Sequence, residues 1–310
     1  RTIQHAADSA TPGTTVHVSP GTYHDRVRSA VSGTAGNPIR FVSDVSWGAR
    51  LRTAGAQFAW DNTADWVIIE GFDIGGDGSV GIESVGSHVQ IVGNHVHDIS
   101  GPRCDQNGGA GIDHGGYASG ANDIVGNLVH DIGDTGSRCA TIQGIYDSTQ
   151  GGRIQNNIVY RTPAWGIHTW HAARRLIIAN NLVFNNGLGG ILVGAGDAPG
   201  GVTADGFLVT NNIVLDNPRG IVESGNTGCN QYVANLLFRN GIDASLKNGN
   251  LAAQSVSDDP RFVDYRSDGG GDYHLQATSP AIAAGTDQGA PGSDFEGAPR
   301  VGQYSIGPYR

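Results

Sequence analysis

Side chains able to move protons recur at matching places in this chain. Asp113-His114, Tyr146-Asp147 and His168 each stand directly after a Gly-Ile pair, at Gly111-Ile112, Gly144-Ile145 and Gly166-Ile167. Trp165, Trp170, His171 and Arg174 flank the last of these pairs. Histidine and tyrosine serve as general base and general acid once their surroundings set their pKa values. Arginine pairs with a carboxylate through parallel hydrogen bonds. Two carboxyl groups such as Asp113 and Asp147 suit hydrolysis instead, provided they flank one bond at a defined separation. No Cys-x-x-Cys pair and no calcium-binding nonapeptide repeat is present, so no strong metal motif stands out.

These residues lie tens of positions apart, and only a repeating element can bring them together. Such an element is written in the sequence. Gly93-Asn94-His95-Val96 is echoed by Gly126-Asn127-Leu128-Val129, Asn156-Asn157-Ile158-Val159 and Asn180-Asn181-Leu182-Val183. Asn211-Asn212-Ile213-Val214 and Ala234-Asn235-Leu236-Leu237 continue the series. Gly-Ile pairs follow from Gly81-Ile82 to Gly220-Ile221 in the same order. A unit of a few tens of residues repeated in this way signals a stacked solenoid. Each unit holds short β-branched runs, such as Val89-Gln90-Ile91-Val92, split by Gly, Asn and Asp. Runs of that length with alternation near two are strands. Asparagine tolerates left-handed backbone and marks a corner, and stacked asparagines can bond one another along the axis. The pattern predicts an all-β, right-handed parallel β-helix in a single domain over residues 1–310. A β-propeller needs four-stranded blades with hairpin turns, and hairpin signals are scarce.

Stacking the Gly-Ile pairs predicts which chemistry-bearing residues meet. One column collects Glu83, Asp113, Tyr146, His168, Leu192 and Val222; the next collects Ser84, His114, Asp147, Thr169, Val193 and Glu223. With coils about 4.8 Å apart, Asp113, His114, Tyr146, Asp147 and His168 are expected to cluster on one face. Trp170, His171 and Arg174 extend the cluster, Leu192 and Val193 end it, and Glu223 forms a rim. Insertions at 100–110 and 133–143 are expected to wall a cleft there. The His97-Asp98 and His130-Asp131 pairs stand at matching points of consecutive coils and read as a stacked structural corner.

Composition agrees. The 310 residues include 49 glycines, 12 prolines and no methionine, and the formal charge is −10. That charge disfavours nucleic acid and anionic membrane as partners, and no stretch is apolar enough to span a bilayer. The single lysine is Lys247. Residues 1–30 read as an N-terminal cap with a short helix, 31–250 as coils, and 251–310 as a wrapping tail. Cys104 and Cys139 occupy matching points of consecutive coils. A disulfide between them and two free thiols both fit that placement, with Cys229 left over.

The opening Ile3-Gln4 to Gly21-Thr22-Tyr23 resembles the secreted bacterial pectate-lyase-like β-helix proteins. So does the closing Asp259-Pro260-Arg261-Phe262 to Ser279-Pro280-Ala281-Ile282, with Ile306-Gly307. The resemblance covers nearly the whole chain. It implies the β-helix fold and a polysaccharide partner, and it spans lyases, hydrolases, epimerases and non-catalytic binders. The fold therefore does not choose the chemistry. Lys247 lies far from the cluster in the coil register, so the lysine base of some β-helix lyases is not expected. The Asn-Thr-Asp and paired Asp-Asp order of polygalacturonase-type hydrolases is absent.

The expectation is a secreted, monomeric polysaccharide lyase that cleaves a uronate-containing chain by β-elimination. His168 or His114 is the base, Tyr146 or His171 the acid, and Asp147 orients one histidine. Arg174 pairs with the uronate carboxylate, while Glu83, Asp113, Trp165, Trp170 and Glu223 complete substrate binding. No cofactor is required; calcium is compatible with a convergence of Glu83, Asp113 and Asp147. A glycoside hydrolase using Asp113 and Asp147, a C5-epimerase and a non-catalytic carbohydrate-binding solenoid are the alternatives. Arg1 is not a methionine, which fits a leader already removed and a secreted location.

Overall fold

In the computed structural model, which describes residues 2–310 apart from Gln106 and Pro199, the repeats wind into a parallel β-helix. Each coil contributes one strand to each of three long parallel sheets. The first sheet runs from Thr15–Val18 to Ala252–Ala253, the second from Gly21–Tyr23 to Leu236–Phe238, and the third from Val27–Ser29 to Ile242–Ser245. No helix among the described residues is long and apolar enough to cross a membrane.

The repeated asparagine sets the register. Asn94, Asn127, Asn157, Asn181, Asn212 and Asn235 are all fully buried. The Nδ2 of each donates to the Oδ1 of the next, at 2.9 to 3.1 Å, from Asn94 through Asn212. The same Oδ1 also accepts from the previous asparagine's backbone N–H. The second Nδ2 hydrogen reaches a carbonyl of the preceding coil, such as Ile124 for Asn157 and Ile154 for Asn181. Every polar atom of an interior amide thus has a partner, which burial demands. The residue just before each ladder asparagine is left-handed, with φ from 53° to 68° at Gly93, Gly126, Asn156, Asn180, Asn211 and Ala234. Gly or Asn meets that need at little cost; Ala234 is the exception.

The second repeated phrase has a packing reason. A Cβ added at Gly81, Gly111, Gly144, Gly166 or Gly190 would lie 2.3 to 2.5 Å from Cγ1 of Val96, Val129, Val159, Val183 or Val214. The glycine of Gly-Ile makes room for the valine of the next asparagine phrase. Two motifs that look independent are therefore two sides of one contact.

At the first end, the helix Ile3–Ser9 is capped by the Thr2 hydroxyl, which accepts from the His5 N–H. Ile3 and Ala7, one turn apart, are buried beneath it. At the other end the tail covers the outer face of the second sheet, placing Phe262, Tyr273, Ala281 and Ile306 against Tyr160, Phe184, Leu215 and Leu236. Corner amides of Asn156, Asn180 and Asn211 donate to tail carbonyls at Ser293, Gly307 and Thr286.

The third sheet carries an inward polar column that includes Asn62, Ser84, His114, Asp147 and Thr169, all of them buried. His114 is 0% exposed and both of its ring nitrogens are unpartnered. Burial pushes its pKa down from 6.5 to about 3. The column ends at Glu223, 2% exposed, whose carboxylate accepts from Asn230, Tyr232, Asn250 and the Lys247 N–H.

Two outcomes follow. Asn181→Ala strands the amide and backbone donors of Asn157 and the carbonyl of Ile154 in the core. At about 1–3 kcal/mol per unsatisfied group, it should destabilise the protein by roughly 3 kcal/mol or more in denaturant titrations. Thr63→Ala, at an exposed position with ordinary backbone, should stay within about 0.5 kcal/mol. For His114, the folded chain refuses a proton that the unfolded chain accepts below pH 6.5. Stability should therefore fall on acidification between about 6.5 and 3, at up to about 1.4 kcal/mol per pH unit. His114→Leu should flatten that acid limb by this slope; parallel limbs in the two proteins would contradict the assignment.

Candidate active site

The outward column of the third sheet has the register read from the sequence. Asp61 pairs with Glu83, Glu83 with Asp113, Asp113 with Tyr146, Tyr146 with His168, and His168 with Leu192. Asp113, Tyr146 and His168 line a cleft of about 450 Å³ together with Asn107, Gln143, Trp170, His171 and Asp197. Strands Gly109–His114, Ile142–Asp147 and Trp165–Thr169 supply the floor. Residues of both insertions form one wall: Asn107 and Gly108 from the first, Ala140, Thr141 and Gln143 from the second. Gln106, within the 100–110 insertion, lies outside the described residues. A Cys104–Cys139 disulfide, with Cα atoms 5.5 Å apart, ties the insertions together. Cys229 is free and exposed.

Aromatic packing fixes the reactive rings. The His168 ring meets Tyr146 edge-on at 5.0 Å and Trp170 at 5.8 Å between centroids. His171 stacks on Tyr117 at 4.5 Å and meets Tyr146 edge-on at 5.9 Å. Trp170 Nε1 donates to Asp197. Both nitrogens of His168, Nδ1 of His171 and Oδ1 of Asp113 are buried without a partner. Such groups are rare in a stable core and common where a ligand completes the hydrogen bonding.

Burial sets the protonation states. It holds the His168 imidazole neutral, its pKa pushed down to about 3, with His171 adding to the effect. His171 is shifted down for the same reason, against an opposing pull from Asp197. The Tyr146 phenol is pushed well above its ordinary value by burial and by Asp113, so it stays protonated. Asp113 rises to about 7 through burial and repulsion from Asp147 behind it. Glu83 rises to about 9 through burial and its neighbours Asp113 and Asp61. The cleft therefore offers a neutral imidazole, a protonated phenol and a carboxyl that is readily protonated.

Several expected members lie elsewhere. The residue after an outward one points inward, because side chains alternate along a strand. His114, Asp147 and Glu223 are therefore inside the coil. Asp147, 1% exposed, accepts from the N–H and hydroxyl of Thr149 and orients no histidine. With Asp113 outward and Asp147 inward, the two carboxyls do not flank a common space. Nor do Glu83, Asp113 and Asp147 bring three ligand atoms together, so the calcium set read from the sequence does not fit this geometry. Among the described residues, only His95, His97 and His130 converge in that way. Arg174 lies on the first sheet and donates to Gln150 Oε1, outside the cleft lining. Trp165 is 5% exposed and packs on Leu192, Val222 and Gly189, leaving no free face for a sugar. Tyr117, Asn107 and Asp197 had no repeat counterpart to single them out; their only signal was a place in the loops beside the Gly-Ile strands.

No protein-family model matches this sequence, and no match was found among curated proteins. Solved structures do match. Pectate lyase Pel9A superposes with a TM-score of 0.64 over 99% of this chain and 90% of its own, at 14% identity. An alginate lyase from Paenibacillus sp. str. FPU-7 gives 0.55 over 76% and 84%, at 18% identity. At those identities the likeness concerns architecture: this chain has the pectate-lyase-like parallel β-helix fold.

Proposed function

We propose that this protein is a secreted polysaccharide lyase that cleaves a uronate-containing chain by β-elimination in the cleft over Asp113, Tyr146 and His168. The observation that carries the reading is His168: neutral, unpartnered at both nitrogens, and edge-on to a protonated tyrosine. The lyases of like fold support it as neighbours in architecture. The disulfide supports an oxidising location outside the cell.

His168 takes the C5 proton of the uronate. The C4–O4 bond breaks as C4=C5 forms, and the leaving oxygen receives the Tyr146 proton. His171, stacked on Tyr117 and edge-on to the Tyr146 ring, holds the tyrosine's side of the cleft. His168 then releases the C5 proton to solvent and Tyr146 regains one from it, which closes the cycle. Carbanion character at C5 is stabilised when the neighbouring carboxylate is neutralised. With Arg174 elsewhere, protonated Asp113 is the group that donates to it, as a carboxylic acid to a carboxylate. Trp170 presents the remaining aromatic face to the sugar. C5 epimerisation shares the first proton transfer and is the second reading, since His171 offers a second unpartnered ring nitrogen.

The pH dependence follows from these states. His168 must be neutral, which holds above about pH 3, and Asp113 protonated, which holds below about pH 7. Turnover should be highest between those limits and fall as pH rises through 7. Asp113→Asn, a permanent donor, should remove the alkaline limb.

The test is mass spectrometry of products after incubation with acidic and neutral polysaccharides. Elimination gives fragments one water lighter than hydrolysis does, from the acidic polymers only. His168→Ala and Tyr146→Phe should each lower kcat by about 10²–10⁴-fold. Fragments carrying the added water would overturn the lyase. An uncut polymer that gains deuterium at C5 in heavy water would favour the epimerase, and binding without either change a carbohydrate-binding solenoid.

A further inference from the structure

A second group of proton-carrying side chains lies on the outer face of the second sheet, away from the cleft. His95 and His97 belong to strand His95–Ile99 and His130 to strand Leu128–Ile132 of the next coil, with His97 beside His130 in register. One ring nitrogen from each lies within 4.8 Å of the other two. Nε2 of His95 and Nε2 of His130 are 2.8 Å apart. At that separation the two imidazole nitrogens share one proton, and a small opening of the pair makes room for a cation in its place.

The supporting contacts distinguish between the two nitrogens of each ring. Nδ1 of His97 bonds Asp98 Oδ2 at 2.8 Å, and Nδ1 of His130 bonds Asp131 Oδ2 at 2.6 Å. The Asp131 carboxylate holds the proton on Nδ1 of His130 and leaves its Nε2 lone pair toward His95. His97 stands between two carboxylates, Asp98 at Nδ1 and Asp73 at Nε2, and gives up its Nε2 proton when an ion takes that place. Metal-binding histidines are oriented by carboxylates in this way. Asp98 and Asp131 adopt left-handed backbone, φ 50° and 54°, which costs free energy for a non-glycine residue. That turn folds each carboxylate back onto the preceding histidine. The rings are further fixed by packing: Trp47 against His95 at 4.9 Å, His95 on His97 at 4.0 Å, and Tyr160 on His130 at 4.7 Å.

We propose that His95, His97 and His130 form a binding site for a divalent transition-metal ion, which staples two consecutive coils through their Nε2 atoms. Three imidazoles suit zinc, nickel or copper and do not suit calcium or magnesium, which prefer oxygen ligands. Around zinc, ligand nitrogens at about 2.0–2.1 Å in tetrahedral array sit about 3.3 Å apart. The 2.8 Å pair must open by about half an ångström, within the reach of a small rotation of each ring. Asp73 Oδ1, 2.9 Å from His97 Nε2, is a neighbouring oxygen, held by Arg52 at 2.5 Å. The Arg52 guanidinium also approaches His97 Nε2 to 3.4 Å and must swing toward its carbonyl partners, Leu51 and Asp73, when the ion binds. Its charge opposes the ion, which makes this a weaker site than a cysteine-lined structural zinc.

Untagged full-length protein, stripped with chelator and dialysed, is titrated with zinc chloride by calorimetry and with cobalt(II) by visible d–d absorption. The expected result is one ion per chain, a higher melting temperature with zinc, and a cobalt spectrum of low coordination number. His130→Gln should abolish stoichiometric binding, and Asp131→Asn, which keeps all three rings, should weaken it about 10–100-fold. Circular dichroism of the metal-free variants checks that they fold. Absence of binding by the folded wild-type chain would overturn the site, as would zinc affinity unchanged in His130→Gln. So would calcium binding that matches zinc.

Discussion

A single buried amide per coil, from Asn94 to Asn235, registers the coils that carry the cleft. The asparagine ladder fixes each coil against the next through paired side-chain and backbone bonds, with no polar atom of its interior members left over. Parallel sheets alone tolerate slippage between strands of similar pattern, and a slip by one residue exchanges inner and outer faces. The ladder forbids that slip, since a displaced asparagine would leave buried donors unpaired. Asp113, Tyr146 and His168, on the third-sheet strands of the coils that carry Asn94, Asn127 and Asn157, inherit their positions from this constraint.

The cleft follows from register and insertion together. Equivalent positions of successive coils place Asp113, Tyr146 and His168 in one line, and apolar Leu192 and Val222 end it. The insertions then rise beside the line and are tied by the Cys104–Cys139 bond. A rigid floor with a cross-linked wall holds aromatic and imidazole groups in a half-dry space, where unpartnered nitrogens persist because the scaffold over-determines them. The second sheet shows the same logic with a different outcome. Its register brings three imidazoles together on a tight, carboxylate-braced corner.

The sequence contained more of the fold than of the site. Repeated Asn and Gly-Ile phrases carry the coil count, the ladder and the outward column, because each is a local pattern with a periodic physical cause. The partner of Gly-Ile, the valine of the asparagine phrase, is visible only when coils close in three dimensions. His114, Asp147 and Glu223 follow the surface column by one position, and strand alternation sends them inward. Arg174 misled because a corner between sheets separates it from Thr169. Trp165 stands at the start of its strand and turns under Leu192. Tyr117 and Asp197 belong to loops without a repeat, where no periodic argument reaches. The His97-Asp98 and His130-Asp131 pairs read as a corner, and they are one. Their convergence with His95 needed distances.

A crystal structure of the Tyr146→Phe protein with a uronate oligosaccharide reads the geometry of the cleft at the reacting atoms. A uronate ring should lie in the cleft with C5 about 3–3.5 Å from a ring nitrogen of His168, the glycosidic oxygen toward position 146, and the carboxyl group on Asp113. An oligosaccharide seated on another sheet, or one whose C5 faces away from His168, would contradict elimination at this site.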